Sequence, residues 1–327
     1  MSVNHWTSLP SPNELKSLYQ VPNTDFVLHC RNQCKHILNA QDPRIALIIG
    51  PCSIHNIEGA LEYARQLKQL QDQVRDRYFL IMRVFIEKPR SAGGWKGLAY
   101  DPHLNGTNDL QDGLHITRSL LTELNSMSIP CATEFLDPLL APYISDLICW
   151  GMIGARTTAS QLHRQLASGL DFPIGFKNSI YGELDTAVRA VTVAKTGHTH
   201  FALNQEGKIS AKSTTGNPYA HLVLRGSNSG PNCDPDSIEL ALQLLHQVQL
   251  PGRIAIDCAH GNSGKNIIRQ ALIFQDMLKQ IKNGNQAIAA LMLESYLEAG
   301  CQSNPIVPHL SITDPCLSFA DTAALLI

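Results

Sequence analysis

The sequence lacks the features of secreted, membrane-spanning and disulfide-rich proteins. Its first residues, MSVNHWTSLPSPNELK, contain neither a basic nor an apolar segment, and no window approaches ~18 uninterrupted apolar residues. We therefore expect neither secretion nor membrane insertion, and a cytoplasmic location. The nine cysteines are an odd number scattered along the chain, which is typical of reduced thiols rather than of a disulfide framework.

The chain also lacks a dense run of basic residues. The formal net charge is −2 at pH 7, and Lys and Arg are spread along the chain, which argues against binding to nucleic acid or to an anionic membrane. The hydrophobic content of 44% with 17% charged residues is ordinary for a globular protein with a large core. The sequence therefore predicts one folded domain that binds neither nucleic acid nor a membrane.

Two alternating patterns fill most of the chain. Short apolar runs bounded by Gly or Pro, such as IALIIG, YFLIMRV and RIAID, are typical of parallel strands buried on both faces. Stretches such as 58–73, 111–127, 237–248 and 266–281 place apolar residues at intervals of three and four, as one-sided helices do. The alternation occurs eight times and predicts an α/β fold, a (β/α)8 or TIM barrel.

Two segments fall outside this alternation. Residues 1–44 precede the first buried strand and include a helical pattern near 24–39, so they form an N-terminal extension. Residues 199–217 resemble two polar strands with a turn at Gly207, which predicts a β-hairpin inserted before the sixth barrel strand. We expect a catalytic barrel over 45–327 with this hairpin at about 199–217. The 327 residues exceed a typical barrel of ~250 residues by an amount that these two additions fill.

Each predicted barrel strand runs directly into a residue that can bind or react. Because the carboxyl ends of all the strands meet on one face of a barrel, we expect these side chains to surround a single pocket. They are Cys52, Arg83, Glu134, Arg156, Lys177, Arg225, His260 and Glu294.

Four residues on this face have the chemistry of metal ligands. Cys52, His260 and Glu294 follow strands one, seven and eight, and Asp314 lies on the loop after the last strand. One sulfur, one nitrogen and two carboxylates suit Mn, Fe, Co or Zn better than Ca or Mg. A single cysteine at a strand end is more often a small buried apolar residue, so these residues alone leave a metal site and a structural role equally open.

The same face carries an unusual number of cations. Arg presents a planar fork to carboxylate or phosphate and Lys a compact charge, so several of them in one pocket imply more than one anionic group on the substrates. For Arg90 or Lys96 alone, a solvated surface position is an equally good explanation, whereas Lys177 and Arg225 directly follow apolar residues. The turn at Gly154–Thr158 adds backbone N–H donors suited to phosphate. The set is Arg83, Lys88, Arg90, Lys96, Arg156, Lys177 and Arg225.

Over about residues 25–325 the motifs resemble one enzyme family. GPCSIH, MRVFIEKPRSAGGWKG, EFLDP, GARTTASQLHRQLASGL, GFKN, STTGNP, LRG, IDCAHGNS, LESYLEAG and SITDPC occur in the order found in the type I 3-deoxy-D-arabino-heptulosonate 7-phosphate (DAHP) synthases. The resemblance implies a metal-dependent β/α barrel that condenses phosphoenolpyruvate with erythrose 4-phosphate and releases phosphate, the first step of the shikimate pathway. We expect a homodimer or homotetramer.

The resemblance also implies roles for individual residues. Cys52, His260, Glu294 and Asp314 would bind one divalent metal ion, which acts on the aldehyde as a Lewis acid. Lys88 is the candidate acid for the nascent alkoxide, and His260 or Glu294 the candidate to steer the attacking water. Arg90 and Ser91 would bind erythrose 4-phosphate, with Asp257 near the sugar hydroxyls. The phosphoenolpyruvate site would comprise Arg83, Lys88, Lys96, Glu134, Arg156, Lys177 and Arg225, with the Ala155 backbone at the phosphate.

At several positions the residue differs from the one that is usual in the family. Ser91 replaces Thr and keeps the hydroxyl, whereas Ala259 and Cys233 stand where Ser and Tyr are usual. The segment Ala141-Pro142 and the LNQEG turn of the hairpin differ in the region where family members bind an inhibiting aromatic amino acid. We therefore expect a weak or atypical response to phenylalanine and tyrosine.

Two alternatives to this activity remain open from the sequence. One is the related 3-deoxy-octulosonate 8-phosphate synthase, against which the KPRS motif argues, because that group carries an Asn-containing motif instead. The other is a specialised paralogue that uses a different aldose phosphate, or that binds a ligand without turnover. The intact ligand and cation sets argue against loss of catalysis.

Overall fold

The computed structural model describes residues 6–21 and 23–327. Residues 1–5 and 22, which belong to the expected N-terminal extension, lie outside the described residues. The strands are β1 Ile45–Gly50, β2 Tyr78–Arg83, β3 Cys131–Glu134, β4 Trp150–Ile153, β5 Ile174–Lys177, β6 Thr199–Leu203, β7 Ile209–Ser213, β8 Ala220–Leu224, β9 Ile254–Asp257, β10 Ile288–Tyr296 and β11 Leu317–Ser318.

Eight of these strands close into a parallel barrel. Their order is β1-β2-β3-β4-β5-β8-β9-β10, and β10 pairs with β1 to complete the circle. The register Ala46↔Ala290 through Gly50↔Glu294 brings the ends of β1 and β10 side by side. The predicted TIM barrel is confirmed, and the carboxyl ends of its strands form one face.

Helices alternate with the barrel strands. Asn56, Asp109, Asp234 and Asn266 cap helices by accepting a backbone N–H with their side chains, which explains where these helices begin. The helices are α1 Pro12–Leu18, α2 Thr24–Leu38, α3 Ile57–Val74, α4 Leu110–Ser126, α5 Ala141–Ile144, α6 Gln161–Ser168, α7 Asp185–Ala194, α8 Pro235–Gln247, α9 His260–Ser263, α10 Ile267–Lys282 and α11 Phe319–Leu326.

Helix α2 covers the amino-terminal end of the barrel. The buried Arg31 guanidinium donates to the Ile148 carbonyl just before β4 and forms an ion pair of 2.8 Å with Asp171 just before β5. Its guanidinium also lies 4.7 Å from the centroid of the Phe172 ring. This end of the barrel is therefore covered, and the opposite face is the one formed by the carboxyl ends of the strands.

Strands β6 and β7 form an antiparallel hairpin between α7 and β8. They pair from Thr199↔Ser213 to Leu203↔Ile209, and Gly207 in the turn has φ 74°, a conformation that suits glycine. Lys16 of α1 contacts the turn, because its Nζ donates to Gln205 Oε1 at 2.8 Å. The hairpin and α1 thus lie together on the flank of the barrel.

The core has two layers. Residues that alternate along the strands, such as Ile48, Trp150 and Met152, fill the barrel interior, and Leu47 and Ile49 face the surrounding helices. Among the residues described, 6–21 and 23–327, no helix has both the length and the apolar character needed to cross a membrane.

Candidate active site

The carboxyl-terminal face of the barrel contains a pocket of about 700 Å³. Most of the residues predicted to surround a pocket line this one. They are Arg83, Lys88, Arg90, Glu134, Ala155, Arg156, Lys177, Arg225, His260 and Asp314. Cys52 and Glu294 lie at its base, almost completely buried.

Three candidate metal ligands converge at the base of the pocket. One ligand atom each of Cys52, Glu294 and Asp314 lie within 4.8 Å of one another. His260 Nε2 lies 3.6 Å from Glu294 Oε1, which brings the fourth candidate to the edge of the same cluster. A thiolate, an imidazole and two carboxylates at this spacing fit a divalent transition-metal ion or zinc.

His260 lies against a buried carboxylate. Its Nδ1 lies 2.9 Å from Asp257 Oδ2, which leaves Nε2 directed toward Glu294. His260 adopts φ 51°, an uncommon conformation for a residue other than glycine, and strain of this kind concentrates at functional sites. The same Asp257 oxygen lies 2.6 Å from Lys177 Nζ. Asp257 is fully buried, so the structure places it beneath the pocket.

The charges at the base of the pocket shift one another's pKa values. Burial and the nearby Glu294 carboxylate raise the pKa of the Cys52 thiol to about 11, although Lys88 opposes this shift. Burial would lower the pKa of Lys88, but Cys52, Glu294 and Asp314 raise it above its usual value. Burial would raise the pKa of Asp314, yet Lys88 and Lys265 lower it to about 2. Lys88 is therefore a protonated donor, 2.6 Å from Cys52 Sγ.

Two of the pocket cations are buried and ion-paired. Arg83 is inaccessible to solvent, and its guanidinium donates to Glu294 Oε1 at 3.0 Å while lying 4.0 Å from the Phe85 ring centroid. Lys177 is paired with Asp257. Burial lowers the pKa of Arg225, and Asp257 partly offsets this effect. Arg90 and Arg156 are exposed at the mouth. The pocket can hold anionic groups both at its base and at its entrance.

Glu134 and the turn after β4 form one wall. A Cβ at position 154 would overlap Glu134 Oε1, so the close packing of this carboxylate requires glycine there. In the part of the chain that the structure describes, Glu134 Oε1 has no hydrogen-bond partner although it is buried. Thr158 donates to the Lys177 carbonyl at 2.7 Å and fixes the turn against β5. A buried acceptor with no protein partner is free to accept a hydrogen bond from a substrate or a water molecule.

The long connection between β2 and α4 carries Lys88, Arg90, Ser91 and Lys96. Lys88 N donates to the Lys96 carbonyl at 2.8 Å, which folds the segment back on itself. Ser91 accepts from Arg156 Nε at 2.9 Å, which links the two substrate-binding segments expected from the sequence. Lys96 is exposed, and its Nζ lies 5.9 Å from the centroid of the Tyr100 ring. Ser91, Lys96 and Asp257 are outside the set of described residues that line the pocket.

The sequence argument missed two residues of this region. Lys265 lines the pocket, and its Nζ lies 2.8 Å from Asp314 Oδ1. Glu87 is buried and accepts the backbone N–H groups of Leu136 and Asp137 at 3.1 and 3.0 Å. Burial raises the pKa of Glu87 to about 8, although these hydrogen bonds oppose the shift. Both lie beside motif residues, Lys265 in IDCAHGNSGK and Glu87 before KPRS, but a sequence does not show their partners.

Ala141, Pro142 and the turn of the hairpin, where we expect departures from the resembled family, lie together. Ala141 and Pro142 begin α5, and both line a cleft of about 1540 Å³ on the flank of the barrel. Phe201, Asn204 and Gln205 of the hairpin line the same cleft. Substitutions far apart in the sequence thus alter one concave surface.

The chain matches the model of the DAHP synthetase I family over residues 20–325. It is 43% identical over 324 residues to the Trp-sensitive phospho-2-dehydro-3-deoxyheptonate aldolase of Escherichia coli K12, covering 97% of this chain and 93% of that one. It is 42% identical over 325 residues to the Tyr-sensitive enzyme of Salmonella typhimurium LT2, covering 97% and 91%.

A solved structure shows the same fold. The phospho-2-dehydro-3-deoxyheptonate aldolase of Francisella tularensis SCHU S4 superposes with a TM-score of 0.97 at 38% identity, covering 99% of this chain and 96% of that one. The family model, the full-length relatives and the barrel with its pocket at the strand ends agree, and this chain belongs to the DAHP synthetase I family.

Proposed function

We propose that this protein condenses phosphoenolpyruvate with D-erythrose 4-phosphate and water to give 3-deoxy-D-arabino-heptulosonate 7-phosphate and phosphate. The observation that carries the proposal is one pocket in which cations surround the Cys52, Glu294 and Asp314 cluster. The two substrates carry two phosphates and a carboxylate, which this pocket can neutralise. Membership of the family and the names of its relatives favour the same reaction.

The residues at the base of the pocket fit a divalent metal ion. Cys52, His260, Glu294 and Asp314 would hold it, and their mixed donor set favours Mn, Fe, Co or Zn. When bound, the ion supplies Lewis-acid polarisation of an aldehyde oxygen. Asp257 lies 2.9 Å from Nδ1 of His260 and would orient its ring, as carboxylates commonly orient metal-binding histidines.

The cations divide between the two substrates. Phosphoenolpyruvate is bound by the larger group, which consists of Arg83, Glu134, the Ala155 backbone, Lys96, Arg156, Lys177 and Arg225. Lys96 has to turn inward from its place over Tyr100 to reach this substrate. Arg90 and Ser91 bind the phosphate of erythrose 4-phosphate at the mouth. The buried position of Asp257 supports an indirect contribution at the sugar, through Lys177 and His260.

The chemistry joins the two substrates before phosphate leaves. C3 of phosphoenolpyruvate forms a bond to the aldehyde carbon, and the aldehyde oxygen takes the electron pair and receives a proton from Lys88. Water steered by His260 or Glu294 then adds to the electron-poor C2; one of its protons returns to Lys88, and the other leaves with the phosphate as the C2 carbonyl forms. The bond between C2 and the bridging oxygen breaks, so phosphate departs with that oxygen. Lys88 suits its step because its Nζ, 2.6 Å from Cys52 Sγ, lies beside the proposed metal ligands and carries protons to donate.

A panel of aldose phosphates tests this function. Phosphate release from phosphoenolpyruvate is measured with erythrose 4-phosphate, with a five-carbon aldose phosphate, and without acceptor. We expect the highest kcat/KM with erythrose 4-phosphate and negligible release without acceptor. Faster release with the five-carbon sugar would favour the octulosonate alternative, and no release with any acceptor would favour a ligand-binding paralogue.

We also propose a homodimer or homotetramer located in the cytosol. The hairpin exposes Phe201 by 86% and Ile209 by 77%, which suits self-association, and sedimentation equilibrium measures the assembly. In the described residues all nine cysteines are unpaired, and a reducing compartment would keep them so. The extension over 1–44 and the barrel over 45–327 remain our proposed domain division.

A further inference from the structure

Strand β10 extends beyond the end of its neighbour β9. The parallel pairing of β9 with β10 ends at Asp257↔Met292, and the next ladder bond runs from Cys258 N to the Met292 carbonyl at 3.0 Å. Glu294 lies two residues further along β10, so its backbone N–H and C=O point toward the same side as those of Met292. Strand β9 has ended there, and these two buried groups need another partner.

The side chain of Gln270 supplies that partner. Its Nε2 donates to the Glu294 carbonyl at 3.0 Å, and its Oε1 accepts from Glu294 N at 2.7 Å. The side-chain amide therefore makes the pair of hydrogen bonds that a strand residue would have made. Gln270 is only 2% exposed, so water does not replace these bonds.

Gln270 also connects two of the proposed ligands. Gln270 lies in the first turns of α10. At the start of that helix, Asn266 N donates to the carbonyl of Ser263. Ser263 belongs to α9, the short helix that begins with His260. The amide thus ties the segment that carries His260 to the strand residue Glu294. His260 Nε2 and Glu294 Oε1, which this connection joins from behind, are 3.6 Å apart.

We propose that Gln270 is a positioning residue that sets the metal affinity of the site by fixing Glu294 and the His260 segment relative to each other. This inference rests on the proposed metal-dependent function. Groups that orient metal ligands from outside the ligand set typically change metal affinity by about 10- to 100-fold when altered. Gln270 is expected to affect metal binding far more than substrate binding, because it does not touch the substrate pocket.

The test measures Mn²⁺ binding to the metal-free enzyme by titration calorimetry. Gln270→Met keeps the length of the side chain and removes both hydrogen bonds, and Gln280→Met on the same helix is the control, since Gln280 Nε2 bonds to the Cys233 carbonyl instead. We expect Gln270→Met to raise the Mn²⁺ Kd at least about tenfold. Gln280→Met should leave it within about twofold of wild type. Excess Mn²⁺ should restore kcat in Gln270→Met with an unchanged KM for phosphoenolpyruvate.

A second variant protects the test against misfolding. Gln270→Asn keeps the amide but is one methylene too short to reach both Glu294 groups, and it should also weaken Mn²⁺ binding. Suppose that the wild type binds one Mn²⁺ and turns over, and that a folded Gln270→Met or Gln270→Asn variant has an unchanged Mn²⁺ Kd. That result would overturn the inference about Gln270 and leave the metal-dependent function standing. A wild type that binds no divalent metal would overturn the inference together with the metal-dependent function.

Discussion

The buried pair of Lys177 and Asp257 allows a quantitative prediction. Their charged atoms are 2.6 Å apart, and the side chains are 4% and 0% exposed. At an effective dielectric constant of about 20, the gross attraction at this distance is about 6 kcal/mol. The net cost of Lys177→Met is smaller, because the ammonium no longer has to be desolvated, and breaking a buried pair typically costs about 3–5 kcal/mol.

His260 lowers the expected cost toward the bottom of that range. Its Nδ1 remains 2.9 Å from the same Asp257 oxygen, so the carboxylate keeps one partner in the variant. We therefore expect Lys177→Met to lower the free energy of unfolding by about 3 kcal/mol. At about 2 °C per kcal/mol for a large domain, this corresponds to a Tm about 6 °C lower.

A double-mutant cycle in the metal-free enzyme isolates the pair. Thermal unfolding is measured for wild type, Lys177→Met, Asp257→Asn and the double variant, with Arg65→Met in the exposed pair with Glu62 as the control. The double variant should be more stable than the sum of the single effects predicts, by about 2 kcal/mol. The control should cost less than about 1 kcal/mol. Additive effects, or a Tm shift in Lys177→Met as small as that of the control, would refute this reasoning.

Three further predictions concern the metal, the substrates and regulation. EDTA should abolish activity and Mn²⁺ restore it, and Cys52→Ser should lose most of its Mn²⁺ affinity while keeping its fold; full turnover in chelated enzyme would contradict the metal site. Arg156→Ala should raise the KM for phosphoenolpyruvate, and Arg90→Ala should raise the KM for erythrose 4-phosphate. Each KM should rise by at least about tenfold, as expected for a lost hydrogen bond to a charged group. The reverse pattern in steady-state kinetics would show that the two pockets are misassigned. Ala141 and Pro142 differ from the residues expected at the family's effector site, and Pro lacks an N–H donor, so phenylalanine and tyrosine should inhibit weakly. The assay is run at subsaturating phosphoenolpyruvate, and strong inhibition at micromolar concentration of either amino acid would disprove this.

The barrel was predictable because its signal is repeated. Eight apolar runs, each buried on both faces, are enough to indicate parallel strands, and the topology then brings residues such as Cys52 and Glu294 to one face without any knowledge of their contacts. The resemblance added roles to these positions. The location of strand-end residues follows from the backbone itself, whereas their roles stay predictions.

Contacts made across loops were not predictable. The segment after β2 folds back on itself, which places Lys96 over Tyr100. The same fold lets Glu87 accept hydrogen bonds from two backbone N–H groups of the connection after β3. The burial of Asp257 between Lys177 and His260 depends on side-chain directions inside the barrel. Gln270 gave no signal, since its partners are backbone groups 24 residues away. A one-dimensional pattern contains none of this information.

The central claim is that the pocket joins phosphoenolpyruvate to erythrose 4-phosphate and releases phosphate by cleaving the bond between C2 and oxygen. The most direct test is mass spectrometry of the products formed by the Mn²⁺-loaded enzyme in ¹⁸O-labelled water. The account predicts one seven-carbon sugar acid phosphate for each phosphate released, and phosphate without the label. Labelled phosphate, or phosphate released without the seven-carbon product, would contradict it.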